Sequence, residues 1–416
     1  MAEDLQNWAR HLTYNAVRIH RPQTVAEVQS LVSQYPHVKA LGTRHSFNNI
    51  ADTEDDHIST EHLNRIISID RDRMTVNVEG GISYGTLAKH LYLEGYALHN
   101  LASLPHISVA GACATATHGS GVANGNLSTA VVAIELVTAS GELVRYHQSS
   151  PEFAGAVVNI GALGIVTSLT LKILPSFQVR QFVYQDLPFA ELEQNFDEIM
   201  SSAYSVSLFT TWSSDNVDQV WQKCTDLDRE VPETLFGAKQ AGKKLHPLPN
   251  HSAEHCTEQL GIPGSWHERL AHFKMEFTPS SGEELQSEYI VARKDAFAAL
   301  SRINEMREAI APALHVSEIR TEAADNLWLS SAFGQDSVCI HFTWKKNWAA
   351  VRQLLPIIEQ TLAPFRARPH WGKLFDMEAE RVCQLYPKMD DFKSLARELD
   401  PSGKFRNEYL FKKVFG

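Results

Sequence analysis

The chain has 416 residues, 44% hydrophobic and 21% charged, which excludes wholesale disorder and suits two domains or three at roughly 100–200 residues each. Lysine and arginine total 38 against 49 acidic residues, a net charge of −11 with no basic block, which argues against a nucleic-acid partner. Five cysteines, Cys113, Cys224, Cys256, Cys339 and Cys383, lie far apart with no C-x-x-C pair, so neither a disulfide scaffold nor a cysteine zinc site is expected, and a reducing compartment is.

Residues 1–10 have no apolar core, and no run of about 20 apolar residues exists to span a bilayer. A cytoplasmic location and no membrane partner are the expectations. Residues 14–19 are a strand candidate. Thr24, with Glu27 three residues on, reads as a capping box for a helix whose apolar face is Val25, Val28, Leu31 and Val32. Residues 38–41 form a strand that runs into the loop Gly42-Thr43-Arg44-His45-Ser46. Residues 75–79 alternate as a strand broken by Gly80 and Gly81, and Ser83 is placed to cap the next helix. Residues 131–138 and 143–147 predict a hairpin turned at Ser140 and Gly141, and residues 165–174 a β-branched strand closed by Pro175.

The middle of the chain has another texture. Residues 235–264 are rich in His, Pro and Gly and predict long loops. Residues 286–292 and 336–344 read as strands. Residues 294–310 read as one helix with Phe297, Leu300, Ile303 and Ile310 inward, and residues 348–362 as a helix that tolerates Pro356 with a kink. No internal repeat is present.

The most informative feature is a gap. Between Glu94 and Glu135 no Asp, Glu, Lys or Arg occurs, and the segment is dense in Gly, Ala, Ser and Thr. Small residues let backbone N–H groups approach a pyrophosphate closely without lysines; the same texture would also serve a loop that only packs two elements together. No G-x-x-x-x-G-K-[ST] occurs and no G-x-G-x-x-G follows the first strand, so neither a P-loop nor a Rossmann dinucleotide half is expected. The string His251-Ser252-Ala253-Glu254-His255 matches H-x-x-E-H, yet it follows Pro247 and Pro249 in loop-like sequence, where a solvated loop is the better reading. Further on, Glu318 and Arg320 are two apart, as are His341 and Thr343, and Lys373 follows. On strands each pair would share a face. Two such strands would line a polar pocket, but on these residues alone an exposed polar sheet face with chance salt bridges is the better reading.

These residues belong to a larger pattern: G-T-R-H-S at 42–46, A-S-L-P-H-I-S-V-A-G-x-x-A-T-x-T-H-G-S-G at 102–121, S-V-S-L-F-T at 205–210, W-H-E-R-L at 266–270, F-T-P-S-S-G at 277–282 and R-P-H-W-G-K at 368–373. In this order, over nearly the whole chain, they resemble the vanillyl-alcohol-oxidase-type flavoproteins, and within them the alditol oxidases, relatives of the aldonolactone oxidases. The resemblance implies an α+β fold: a two-lobed FAD-binding domain at residues 1–176, a cap domain with a large antiparallel sheet at 177–372, and a C-terminal segment, 373–416, returning to the FAD domain.

It also implies roles. His45 matches the histidine that carries FAD covalently through the 8α carbon of the flavin. Gly42, Thr43, Arg44 and Ser46 match the first pyrophosphate loop, and Ser108, Gly111, Thr115, Ala116, Thr117 and His118 the second. Val166 matches a residue whose backbone meets the flavin, and Ala102 a position linked to oxygen access. Ser103, Glu318, Arg320, Thr343 and Lys373 match the polyol-binding set, with Ser103 and Thr343 also beside the cofactor and His341 next to them. The implied partners are a small polyol and O2, with no metal and no obligatory protein partner. Arg320 stays protonated and suits a forming alkoxide; Lys373 and His341 are both candidates for the base. An aldonolactone oxidase or dehydrogenase on the same fold is the alternative, and a flavin-containing sugar-binding protein without turnover the reading from another class.

Overall fold

The computed structural model describes residues 5–275 and 284–416; the motif at 277–282 lies outside them. Near the N-terminus, Glu27 N–H donates to Thr24 Oγ1 (3.2 Å) while Gln23 N–H donates to Glu27 Oε2 (2.8 Å). This reciprocal cap, displaced by one residue, starts the helix Val25–Gln34. Val28 and Val32 of that helix pack with Val38, Ile58 and Phe405. The helix thereby covers a parallel three-stranded sheet ordered Arg18–His20, Asp56–Ser59, Val38–Leu41.

A second sheet is antiparallel throughout, in the order Ile66–Asp70, Thr75–Glu79, Ile165–Lys172, Val131–Val137, Leu143–His147. The break at Gly80 and Gly81 has a steric reason. A Cβ on Gly81 would stand 1.8 Å from Thr60 O, and one on Gly80 would stand 2.7 Å from Val166 O. The chain crosses there between the two sheets at backbone contact distance.

From Gln178–Pro188 to Arg368–Pro369 the strands enter one large antiparallel sheet, 10-stranded among the described residues. Its centre runs Asn216–Cys224, Ser205–Thr210, Leu314–Glu322, Ser337–Lys345, Glu284–Ala292. The chain then returns to its beginning. Phe47 N–H donates to Gly372 O (2.7 Å), Val38 N–H to Lys404 O (3.1 Å), and buried Lys39 Nζ to Phe405 O (2.9 Å). Among the described residues no helix is long and apolar enough to cross a membrane.

Three expectations shift. The first strand is Arg18–His20, not residues 14–19; Tyr14 is buried instead, edge-on to His57 at 5.3 Å. The strand Ile165–Lys172 ends before Pro175, and Leu174–Pro175 pairs with Tyr96–Ala97; an edge pair tolerates proline because no N–H is needed on its open side. The single helix at 294–310 is two, Ala296–Asn304 and Arg307–Ile310, divided where Met306 leaves helical geometry with ψ 5°; Phe297 is half-buried rather than inward. The helix expected over 348–362 is found as Trp348–Thr361, and it runs through Pro356, which sits on its exposed face, where water can satisfy the freed carbonyl.

Candidate active site

A cavity of about 540 Å³ lies where the two small sheets meet the large one. One wall is built from the two loops of the charge-free and G-T-R-H-S segments. Thr43 Oγ1 accepts from Ser108 N–H (3.0 Å) and meets His45 Nδ1 (3.1 Å), tying the loops together. A Cβ on Gly42 would stand 2.7 Å from Ser108 Oγ, and one on Gly111 2.8 Å from it, so both backbone segments pass close to the Ser108 hydroxyl. Gly42, Thr43, Arg44, His45, Ser46, Ser108, Gly111, Thr115, Thr117 and His118 all line the cavity, as do Ala102, Ser103 and Val166. Ala116 does not; it is buried behind the wall with φ 52° and turns the chain between its neighbours.

His45 stacks on Trp8 with ring centroids 5.6 Å apart. Burial, with His106 nearby, pushes its pKa down to about 4, so the ring is a neutral imidazole at pH 7. Its Nε2 is buried without a hydrogen-bond partner.

The opposite wall is one face of the large sheet. Antiparallel register sets Glu318 beside His341 and His341 beside Glu288, with Thr343 beside Gln286 in the next rung. Arg320 is held from two sides. Its Nη2 donates to Glu288 Oε1 (3.2 Å), its Nη1 reaches His118 O (3.3 Å) and Ser103 Oγ (3.5 Å), and its Nε stands 3.6 Å from Glu318 Oε1. Burial works to lower its pKa, and the two carboxylates outweigh that and raise it. Lys373 donates to Gln286 Oε1 and lies 5.3 Å from the centre of the Phe47 ring. Burial lowers its pKa to about 8, against the pull of Glu288. Burial and Lys373 push His341 down to about 4. Its Nε2 meets Thr343 Oγ1 at 3.2 Å, and its Nδ1 faces Glu288 Oε2 at 3.5 Å.

An FAD binding domain family model matches residues 16–147, and one for D-arabinono-1,4-lactone oxidase matches residues 271–413. The chain is 46% identical to the alditol oxidase of a Streptomyces species over 413 residues, covering 99% of both chains. It belongs to the alditol oxidase family. It is 26% identical to the L-gulono-1,4-lactone dehydrogenase of Mycobacterium tuberculosis over 428 residues, covering 99% of this chain and 98% of that one. Among solved structures, cholesterol oxidase from B. sterolicum shares the fold, with a TM-score of 0.78 at 16% identity over 98% of this chain and 96% of that one. The fold is thus of the vanillyl-alcohol-oxidase type, and the family member described here is an FAD-dependent oxidoreductase.

The cavity fits that cofactor. Its loops are uncharged apart from Arg44, have small side chains, and present the buried His45 Nε2 without a partner. The sequence reading missed Glu288, Gln286, His370 and His272, which also line it. A signal was there: Gln286 and Glu288 alternate within the predicted strand as Glu318 and Arg320 do. The loop around His246 and His251 reaches the cavity too. His255 belongs to a single 3₁₀ turn, Ala253–His255, and His251 stacks on His246 at 5.2 Å, so the H-x-x-E-H string has no helix to align it. Ligand atoms of His118, Glu288 and Cys339 lie within 4.8 Å of one another, but Arg320 already occupies Glu288 and its charge would repel a cation.

Proposed function

We propose that this chain oxidises the terminal primary alcohol of a linear alditol of the xylitol or sorbitol type to the aldose, with O2 reduced to H2O2. The observation that carries the reading is the single cavity in which Ser103, Glu318, Arg320, His341, Thr343 and Lys373 face the two cofactor loops. A polyol brings several hydroxyls, and each one buried needs a donor or an acceptor. This wall offers both, and an apolar alcohol would leave its groups unpaired.

FAD, held by the loops at 42–46 and 102–118, would supply the redox chemistry, hydride acceptance and electron delivery to O2. His45 is the proposed attachment point for a covalent flavin; its neutral ring has a free nitrogen lone pair. His341, neutral at pH 7, is the proposed base. The Glu288 carboxylate facing Nδ1 favours the tautomer protonated there, which leaves the Nε2 lone pair to take the hydroxyl proton. Arg320 and the protonated Lys373 stabilise the negative charge that grows on the C1 oxygen. Glu318 accepts a substrate hydroxyl and helps aim Arg320. Ala102, small and buried at the cavity wall, is the proposed route for oxygen.

We further take residues 1–176 with 373–416 as the FAD-binding unit and 177–372 as the cap, and place the protein in the cytoplasm, a reading supported by five free thiols. The test is peroxide release by the purified protein with xylitol, sorbitol, glycerol and galactonolactone. Turnover of the polyols is expected. The match of residues 271–413 to the lactone oxidase model favours a second reading, which peroxide from galactonolactone alone would select.

A further inference from the structure

Behind the polar wall lies a buried lysine that the reaction above does not use. Lys223, on the strand Asn216–Cys224, is 1% exposed. Its ammonium donates to Leu270 O, to Ala271 O (3.2 Å) and to His272 Nδ1 (3.2 Å). Burial lowers the Lys223 pKa to about 7; the Glu318 carboxylate, which Arg320 holds ionised against burial, can only accept, so His272 Nδ1 is the acceptor toward the lysine and the imidazole proton lies on Nε2. That nitrogen donates to Glu318 Oε1 at 2.8 Å. The ring is held edge-on by Trp221 (5.3 Å) and Phe209 (5.5 Å). Burial and Lys223 push the His272 pKa down to about 4, so the ring stays neutral at pH 7.

We infer that Lys223 and His272 are positioning residues for substrate binding: the lysine fixes the tautomer and plane of His272, and His272 holds the Glu318 carboxylate where a polyol hydroxyl meets it. The inference rests on the proposed substrate role of Glu318. Without this support the carboxylate is free to rotate onto Arg320, whose Nε stands 3.6 Å away. The polyol would then meet a misdirected acceptor. The residues are distant in sequence because the large sheet brings three separate segments to one point: Lys223 from one strand, the 270–272 turn, and Glu318 from another strand.

The experiment is anaerobic flavin reduction at varied xylitol concentration, comparing wild type with His272→Leu, His272→Gln, Lys223→Met and Glu318→Gln. Retained flavin and an unchanged visible spectrum report folding. A hydrogen bond to a charged group corresponds to roughly 10–100-fold in affinity. His272→Leu is expected to raise the half-saturating xylitol concentration by about that factor, while the limiting reduction rate changes far less. His272→Gln, which keeps a donor, should recover part of the loss. Lys223→Met should show a weaker defect of the same kind and serves where His272→Leu does not fold. In the Glu318→Gln background, His272→Leu should add little, because the two act through one contact. Wild-type half-saturation in folded His272→Leu or Lys223→Met, beside a raised value in Glu318→Gln, overturns this inference alone. Additive losses overturn it as well. A wild-type value in Glu318→Gln removes the substrate reading and this inference with it.

Discussion

The Glu288 carboxylate meets the His118 imidazole across the seam between the large sheet and the second cofactor loop, with Oε1 and Nε2 3.2 Å apart and both side chains 1% exposed. The same oxygen accepts from Arg320 Nη2. Burial alone would push the Glu288 carboxyl up; His118 and His341 outweigh it and hold it well below the usual range. Burial works against the His118 imidazolium, and Glu288 outweighs it and raises that pKa. A residue that meets His118, the candidate base His341 and the candidate alkoxide binder Arg320 thus also joins the cap sheet to the cofactor loops.

Glu288→Gln should therefore cost stability as well as activity. It leaves His118 buried without its counter-charge and Arg320 with Glu318 alone, and breaking such a buried pair typically costs about 3–5 kcal/mol. The pH dependence has a definite sign. The depressed Glu288 contributes above its unfolded value of 4.5 and loses that contribution as pH falls. The raised His118 contributes fully below its unfolded value of 6.5 and loses its contribution as pH rises through the higher folded value. Denaturant unfolding at several pH values should show the largest gap between wild type and variant from pH 4.5 to 6.5. Above that window it should narrow without closing, because Arg320 keeps its charge. A gap independent of pH would remove the His118 part of this account.

The purified protein should be yellow, with its flavin retained after acid precipitation, since His45 offers a neutral, partnerless Nε2 to the cavity. His45→Ala should release all flavin to acid while noncovalent FAD persists. Mapping the flavin to a peptide without His45 would refute the assignment.

The cofactor side of this site was legible in the chain because it is local. The loop at 42–46 and the charge-free run each carry their own signature, and backbone cradles depend on small residues that sequence displays directly. The cap side was legible only in halves. Period two places Glu318 with Arg320 and His341 with Thr343, but nothing local sets the register that aligns those pairs with each other and with Glu288. Lys223 was unreadable for the same reason. A lone lysine in a strand looks solvated until three distant segments close over it. The break in the helix at Met306 was hidden because Leu300, Ile303 and Ile310 keep the helical period across it.

The pH dependence of flavin reduction separates the two candidate bases. Burial, with Lys373, sets His341 at about 4, and burial sets Lys373 at about 8. If His341 takes the proton, the rate falls on the acid side as pH drops through about 4. It falls again as pH rises through about 8, where Lys373 loses the charge that stabilises the alkoxide. If Lys373 were the base, the rate would instead rise through that alkaline step. Anaerobic stopped-flow reduction on either side of about pH 8 distinguishes a fall from a rise, and a rise assigns the base to Lys373.

The hardest test concerns charge that appears only in the transition state. Arg320 is clamped between Glu288 and Glu318 and reaches Ser103, so it is aimed before substrate arrives. A preorganised group of this kind costs little reorganisation during the reaction, and losing one typically slows the chemical step by about 10²–10³, or roughly 3–4 kcal/mol. Arg320→Met and Lys373→Met should each slow hydride transfer on that scale. Arg320→Lys should not rescue, because an ammonium cannot span both carboxylates and still present a planar fork to the oxygen. Ser103→Ala removes a hydroxyl contact made equally in ground and transition states, so it should mainly raise KM. Anaerobic stopped-flow isolates hydride transfer from the oxygen step. Reduction at the wild-type rate in a folded, flavin-bearing Arg320→Met or Lys373→Met protein would remove that residue from the mechanism, because no other assigned role leaves the hydride step so dependent on its charge.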